Sequence, residues 1–114
     1  MIHHIHNISV FDPSGELDYQ DGRKILDQIG NLVKCDWNKI VLDLRQVDHI
    51  HYRFLSELQA VANFCSHASG GIKLANLSPY TKDILKITGV DRYFETYDSV
   101  ADAVLSFQSS MSLQ

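Results

Sequence analysis

Residues Lys39 to Leu58, KIVLDLRQVDHIHYRFLSEL, impose the strongest constraint on how this chain can fold. The run from Ile40 to Leu44 is β-branched and apolar on both alternating faces, and Asp43 is its only polar member. A strand of that kind has to be covered on both sides. After a turn-like, mixed-polarity stretch from Arg45 to Ile50, apolar residues return at Phe54, Leu55, Leu58, Val61, Ala62 and Cys65. Spacings of three and four mark a helix buried along one stripe. Buried strand, short loop and amphipathic helix make half of a βαβ unit. In open α/β sheets, ligands and partners meet the chain where such a strand ends at its carboxyl side. The loop before this helix is therefore the first place to look for function.

The flanking segments extend the same alternation. Residues 5–11 place Ile8 and Val10 on one face between polar neighbours and predict a strand, closed by the turn chemistry of Asp12-Pro13-Ser14-Gly15. Asp18 is a cap for a helix reaching about Lys34, with Ile25, Leu26, Ile29, Leu32 and Val33 as its stripe. Gly30 weakens that helix by about 1 kcal/mol relative to alanine. Cys35 to Asn38 connects, with Trp37 expected to pack across the helix end. The second helix should stop at Ser69-Gly70-Gly71, with glycine in the left-handed closing conformation.

Ile72 to Leu77 reads as another apolar strand. Ser78-Pro79 then provides an N-cap followed by proline in the first turn. Ile84, Leu85 and Ile87 are the expected buried side of that helix, and Gly89 its end. Tyr93 to Tyr97 fits a short last strand. Ser99-Val100-Ala101-Asp102 is a capping box opening a helix that turns Val100, Ala103, Val104 and Phe107 inward. The remaining QSSMSLQ has no pattern and is expected to fray, giving a domain over 1–107 and a tail over 108–114. The prediction is a single α/β domain with a largely parallel sheet of about four strands flanked by about four helices.

Composition narrows the function classes. A chain of 114 residues supports one hydrophobic core, and 45% hydrophobic with 21% charged residues is the balance of an ordinary soluble globule. The net charge of −4 gives no electrostatic footprint for nucleic acid. No apolar stretch reaches membrane-spanning length, and MIHHIHNISV lacks the layout of a signal peptide, so a cytoplasmic location is expected. Cys35 and Cys65 stand alone, which argues against a disulfide scaffold or a zinc knuckle. Cys65 lies on an apolar stripe and reads as a small buried hydrophobe.

Taken together, several pieces resemble the STAS domain, the family named for sulphate transporters and anti-sigma-factor antagonists. They are Gly15-Glu16-Leu17-Asp18, Ile40-Val41-Leu42-Asp43-Leu44 with Val47 and Ile50, Leu77-Ser78-Pro79, and Leu85 with Gly89-Val90. Phe94-Glu95-Thr96-Tyr97-Asp98-Ser99 with Ala103 completes the set. The resemblance spans roughly Ile8 to Phe107. It implies a non-catalytic regulatory binding module whose loop before the second helix carries aspartate, two hydroxyl residues and glycine. In the family's anti-sigma antagonists a partner serine kinase phosphorylates the second hydroxyl and the complex breaks.

This sequence differs at each of those positions. His51 stands for the aspartate, Tyr52 and Arg53 for the hydroxyl pair, and Phe54 for the glycine. Arginine cannot accept a phosphoryl group, and its fixed charge is opposite in sign to a phosphate. Ser56 is the nearest aliphatic hydroxyl, about 4.5 Å of axial rise further along the helix. The familiar phosphorylation switch is therefore expected to be absent.

The resulting contact surface comprises Glu16, Asp18, His49, His51, Tyr52, Arg53 and Ser56, with Asp18 also free to serve as a cap and Asp48 or Asp18 available to neutralise Arg53. The implied partner is a protein. One reading makes it an anti-sigma, serine-kinase-like protein; the alternative makes this chain an accessory subunit on the ATPase of an ABC-type lipid transporter. A nucleotide ligand is a weaker third reading, because the loop has few phosphate contacts, and no cofactor is expected. His4 with His6, and His49 with His51, share the spacing of two that invites a metal, but nothing in the sequence supplies further ligands, so surface histidines are the better reading. Such histidines also make partner binding a candidate for sensitivity to mild acid. For catalysis, Ser56 with His51 or His49 is the one local pairing, and a helical serine without a strained turn is a poor nucleophile. Gly70-Gly71 lacks the lysine and hydroxyl residue of a phosphate loop.

Overall fold

Alternating apolar runs and capped amphipathic segments build the expected layers, and the computed structural model describes the backbone of residues 2–112 and the side chains of residues 2–108. The elements in order are β1 (Ile2–Ile5), β2 (Ile8–Phe11), β3 (Ser14–Leu17), α1 (Tyr19–Lys34), β4 (Lys39–Asp43) and β5 (Gln46–Ile50). Then follow α2 (Tyr52–His67), β6 (Gly71–Ala75), α3 (Pro79–Thr88), a 3-10 turn (Asp91–Tyr93), β7 (Glu95–Tyr97) and α4 (Val100–Ser112). Five strands form one sheet in the order β1-β2-β4-β6-β7, parallel except where β1 meets β2. The strands β3 and β5 pair in parallel as a separate two-stranded ladder.

The core has two parts, one on each face of the sheet. Ile40, Leu42, Ile72 and Leu74 point to the side packed by α1, α2 and α3. Val41 and Ala75 point to the other, where Ala103, Val104 and Phe107 of α4 meet Ile8 and Val10. This is the two-sided covering that the apolar run in β4 demanded. Asp43, the polar exception, lies at the strand's carboxyl end. Its Oδ1 accepts from the Arg45 amide at 3.1 Å and from Asn76 Nδ2 at 2.9 Å, tying the ends of β4 and β6 together.

Five details differ from the sequence reading. Residues 5–11 are not one strand: Ile5 ends β1 and Ile8 begins β2, joined by a tight turn with His6 at φ 56°. The predicted turn of Asp12 to Gly15 and the turn-like stretch Arg45 to Ile50 contain strand: residues 14–17 and 46–50 form the β3–β5 ladder, because Leu17, Val47 and Ile50 each have a buried seat in the core. Ile87, predicted buried, is 80% exposed. It lies about 200° around α3 from Leu85, and Thr81 takes the buried place instead, at 1% exposure with its hydroxyl bonded to Ser78 at 3.0 Å.

The fourth detail concerns the close of α2. Ser69, not a glycine, takes the left-handed conformation (φ 65°). Gly70 answers a different need, since a Cβ there would overlap the backbone carbonyl and side chain of Asn38. At the far end, the tail was expected to fray over 108–114, whereas α4 continues to Ser112, and residues 113–114 lie outside the described residues. Among the described residues no helix is long and apolar enough to cross a membrane.

Candidate functional site

The β3–β5 ladder sets the geometry. Its register places Glu16 opposite His49 and Leu17 opposite Ile50, with an irregularity at Gly15, whose φ of 77° suits glycine. One residue on, the His51 amide donates to the Leu17 carbonyl at 3.0 Å. The chain then turns into α1 after Leu17 and into α2 after Ile50. Consequently the two helices begin side by side.

Each helix is capped by its own sequence. Asp18 Oδ1 accepts from the Asp21 amide at 2.8 Å, as expected of a cap. His51 is the cap of α2: its backbone is extended (φ −77°, ψ 133°) and its Nδ1 accepts from the Arg53 amide at 3.1 Å. An imidazole lone pair thus does the work usually given to a hydroxyl or carboxylate.

Around these caps sits a band of aromatic and basic groups. The His51 ring stacks on Tyr52 with centroids 5.0 Å apart and lies 6.5 Å from the Tyr19 ring. The Arg53 guanidinium stands 5.0 Å above the Tyr19 ring. The sequence suggested Asp48 or Asp18 as neutralising partners, but among the described residues no carboxylate pairs with Arg53. On the ladder, His49 Nδ1 lies 2.7 Å from the hydroxyl of Tyr80, in the first turn of α3. Tyr52 is 64% exposed, Tyr80 43% and Tyr19 36%. Ser56 is exposed as well, its hydroxyl directed at the Tyr52 carbonyl at 3.4 Å and not at either histidine.

The sequence-selected residues Glu16, Asp18, His49, His51, Tyr52, Arg53 and Ser56 thus lie along one ladder and the two helix starts it joins. Tyr19 and Tyr80 were missed. The signal for them was present: a tyrosine occurs in the first turn of three successive helices, beside caps at Asp18, His51 and Ser78. Beyond α3, a polar cleft of about 330 Å³ opens between Arg45, Ser78, Lys82 and Asp98. The N-terminal histidines serve locally, His4 bonding Ser9 at 3.1 Å and meeting the Trp37 ring edge-on at 4.7 Å. Among the described residues no three or more of His, Cys, Asp and Glu gather as metal ligands would.

A family model decides the affiliation, since the STAS domain matches residues 1–103. The chain belongs to the STAS domain family. Solved structures agree on the fold. A Thermotoga maritima protein assigned as an anti-sigma factor antagonist superposes with a TM-score of 0.86 at 19% identity, over 95% of this chain and 93% of that one. An anti-sigma factor antagonist from Mycobacterium paratuberculosis gives 0.82 at 24% identity, over 95% and 92% of the two chains. The Bacillus cell fate determinant SpoIIAA in its phosphorylated form gives 0.73 at 14% identity, over 91% and 95%. No curated protein sequence matches the chain. This STAS domain therefore resembles anti-sigma factor antagonists in architecture.

Proposed function

We propose that this STAS domain is a regulatory docking module that binds another protein through the paired starts of α1 and α2, with no serine phosphorylation switch and no chemistry of its own. The observation that carries this reading is the exposed group of Tyr19, Tyr52 and Arg53 at the two helix starts. Tyrosine and arginine are among the side chains that most often anchor protein contacts, tyrosine because it buries a large ring on only two side-chain torsions and arginine because its planar guanidinium offers several donors in a fixed fork. Glu16, Asp18, His49, His51 and Ser56 border that group and form the polar rim of the same surface.

The absence of the switch rests on chemistry. Position 53, which matches the phosphorylated position of the family, holds a guanidinium, and the aliphatic hydroxyl of Ser56 sits inside a formed helical turn. A kinase that needs an extended segment would have to unwind α2 to reach it. The kind of partner that fits is a protein with a carboxylate for Arg53, such as an anti-sigma protein of the serine-kinase type.

The test is affinity isolation from the source cell with wild type and Arg53→Glu in parallel. Wild type should retain a protein that the variant loses, and recovery of the same protein by both would refute the surface. Incubating the isolated complex with ATP should leave the chain free of phosphate, and stoichiometric phosphate on Ser56 would refute the second half of the proposal.

A further inference from the structure

The cap of α2 is unusual in one respect: its acceptor is an imidazole nitrogen, the same atom that can take up a proton. Serine, threonine and asparagine caps accept a hydrogen bond at any physiological pH, and aspartate caps at all but strongly acid pH. His51 accepts the Arg53 amide through Nδ1, so the neutral ring carries its proton on Nε2. A second proton can go only to Nδ1, where it turns the acceptor into a donor facing another donor. The resulting imidazolium also sits at the positive end of the α2 dipole.

The surroundings do little to offset this. From α2, the imidazole faces the Tyr52 ring and the backbone of Arg53, a second cation; from α1, it faces the Tyr19 ring. Asp18, next to the Leu17 carbonyl that holds the His51 amide, has its Oδ1 engaged by the Asp21 amide. Glu16 and His49 lie opposite each other further back on the ladder, and His49 is held by Tyr80. Among the described residues no carboxylate pairs with His51. The two tyrosine rings can receive a cation on their faces, but neither replaces the lone pair lost to the Arg53 amide.

We infer that His51 is a proton-operated cap: neutral, it holds the first turn of α2 that presents Tyr52 and Arg53; protonated, it releases that turn and weakens docking there. The docking half rests on the surface assignment above, whereas the cap itself is a property of the free protein and can be tested without a partner.

The experiment follows the Arg53 amide and the His51 ring by NMR in the ¹⁵N-labelled full chain, between about pH 5 and pH 8. In wild type the Arg53 amide should shift with the same midpoint as the His51 ring. Its exchange rate, corrected for the intrinsic pH dependence, should rise about fivefold on the acid side, the equivalent of one lost cap. His51→Asn keeps an acceptor that does not titrate, and its Arg53 amide should stay still; His51→Ala should show the acid-side value throughout. An Arg53 amide that ignores the His51 midpoint, or moves equally in His51→Asn, would overturn the cap. If the cap operates but a protein captured by wild type binds equally well across this range, the regulatory role is overturned and the fault lies in the docking assignment.

Discussion

Gly22 of α1 and Phe54 of α2 occupy the same place: a Cβ built on Gly22 would stand 2.5 Å from Phe54 Cδ1 and 2.9 Å from its Cγ. Phe54 is 1% exposed and sits just after the His51 cap, so this contact sets how closely the two helix starts approach. Glycine to alanine inside a helix ordinarily gains about 1 kcal/mol. Here overpacking against a buried ring should outweigh that gain. Gly22→Ala is expected to destabilise by about 1–3 kcal/mol, read as a lower urea midpoint, and a more stable variant would show that the helices can separate freely.

Lys73 is a buried cation on β6, an interior strand of the five-stranded sheet, that the sequence reading passed over inside an apolar run. Its Nζ lies 2.6 Å from the Ser106 hydroxyl, 4.1 Å from the centroid of Phe107 and 3.6 Å from a Glu95 oxygen. Glu95 is 68% exposed, so solvent screens the ion pair and little stability rests on it. The stem packed under α4 matters more. Lys73→Met should change stability by less than about 1.5 kcal/mol, because volume is kept and Ser106 still bonds the Ala103 carbonyl at 2.7 Å. Lys73→Ala should cost about 2–4 kcal/mol. Calorimetry of the two variants decides, and equal losses would mean that the charge, not the stem, holds α4.

The two thiols should behave oppositely. Cys35 is exposed at the end of α1, whereas Cys65 is fully buried and burial pushes its thiol pKa up. A disulfide reagent should titrate one thiol in the native protein and both after denaturation. For stability, a raised pKa in the folded state means that the native protein holds its proton more tightly than the unfolded chain. That contribution is intact below the ordinary thiol range and shrinks as pH rises above about 8.5. Tyr97, also raised, first by burial and then by its hydrogen bond to Glu95, acts in the same direction above about pH 10. Melting temperature should therefore decline on the alkaline side, and Cys65→Ala should lessen the earlier part of that decline.

Arg53→Glu should leave the fold intact. Its exposed contact with the Tyr19 ring is worth about 0.5–1 kcal/mol, and a carboxylate in the first turn of a helix regains about 0.3–1 kcal/mol from the dipole. The melting temperature should move by less than about 4 °C. A larger fall would make any loss of binding uninterpretable as a surface effect, and Arg53→Gln would then be the better probe.

The elements with strong periodicity were legible. The buried run in β4, the stripe of α2, and the caps at Asp18, Ser78 and Ser99 appear where residue chemistry put them, because each depends on neighbours within a few positions. What escaped depends on partners far along the chain. Gln46 to Ile50 is polar and short, and it becomes a strand only because residues 14–17 supply the other half of the ladder. Ile87 looks buried by type, yet the roll of α3 is set by Leu85 and Thr81. At the candidate site, Tyr52 and Arg53 could be singled out from the order of residues alone. The capping bond of His51, the Arg53–Tyr19 contact and the meeting of His49 with Tyr80 needed side-chain geometry. No spacing rule supplies that.

The backbone bond from the His51 amide to the Leu17 carbonyl also has a bearing on binding cost. It fastens the segment leading into one helix to the segment leading into the other, so the two first turns are not independent loops. A partner docking there, as proposed, would meet a pre-shaped face for as long as the His51 cap is neutral. Little chain freedom remains to be lost on encounter, and affinity can be high for a modest contact area.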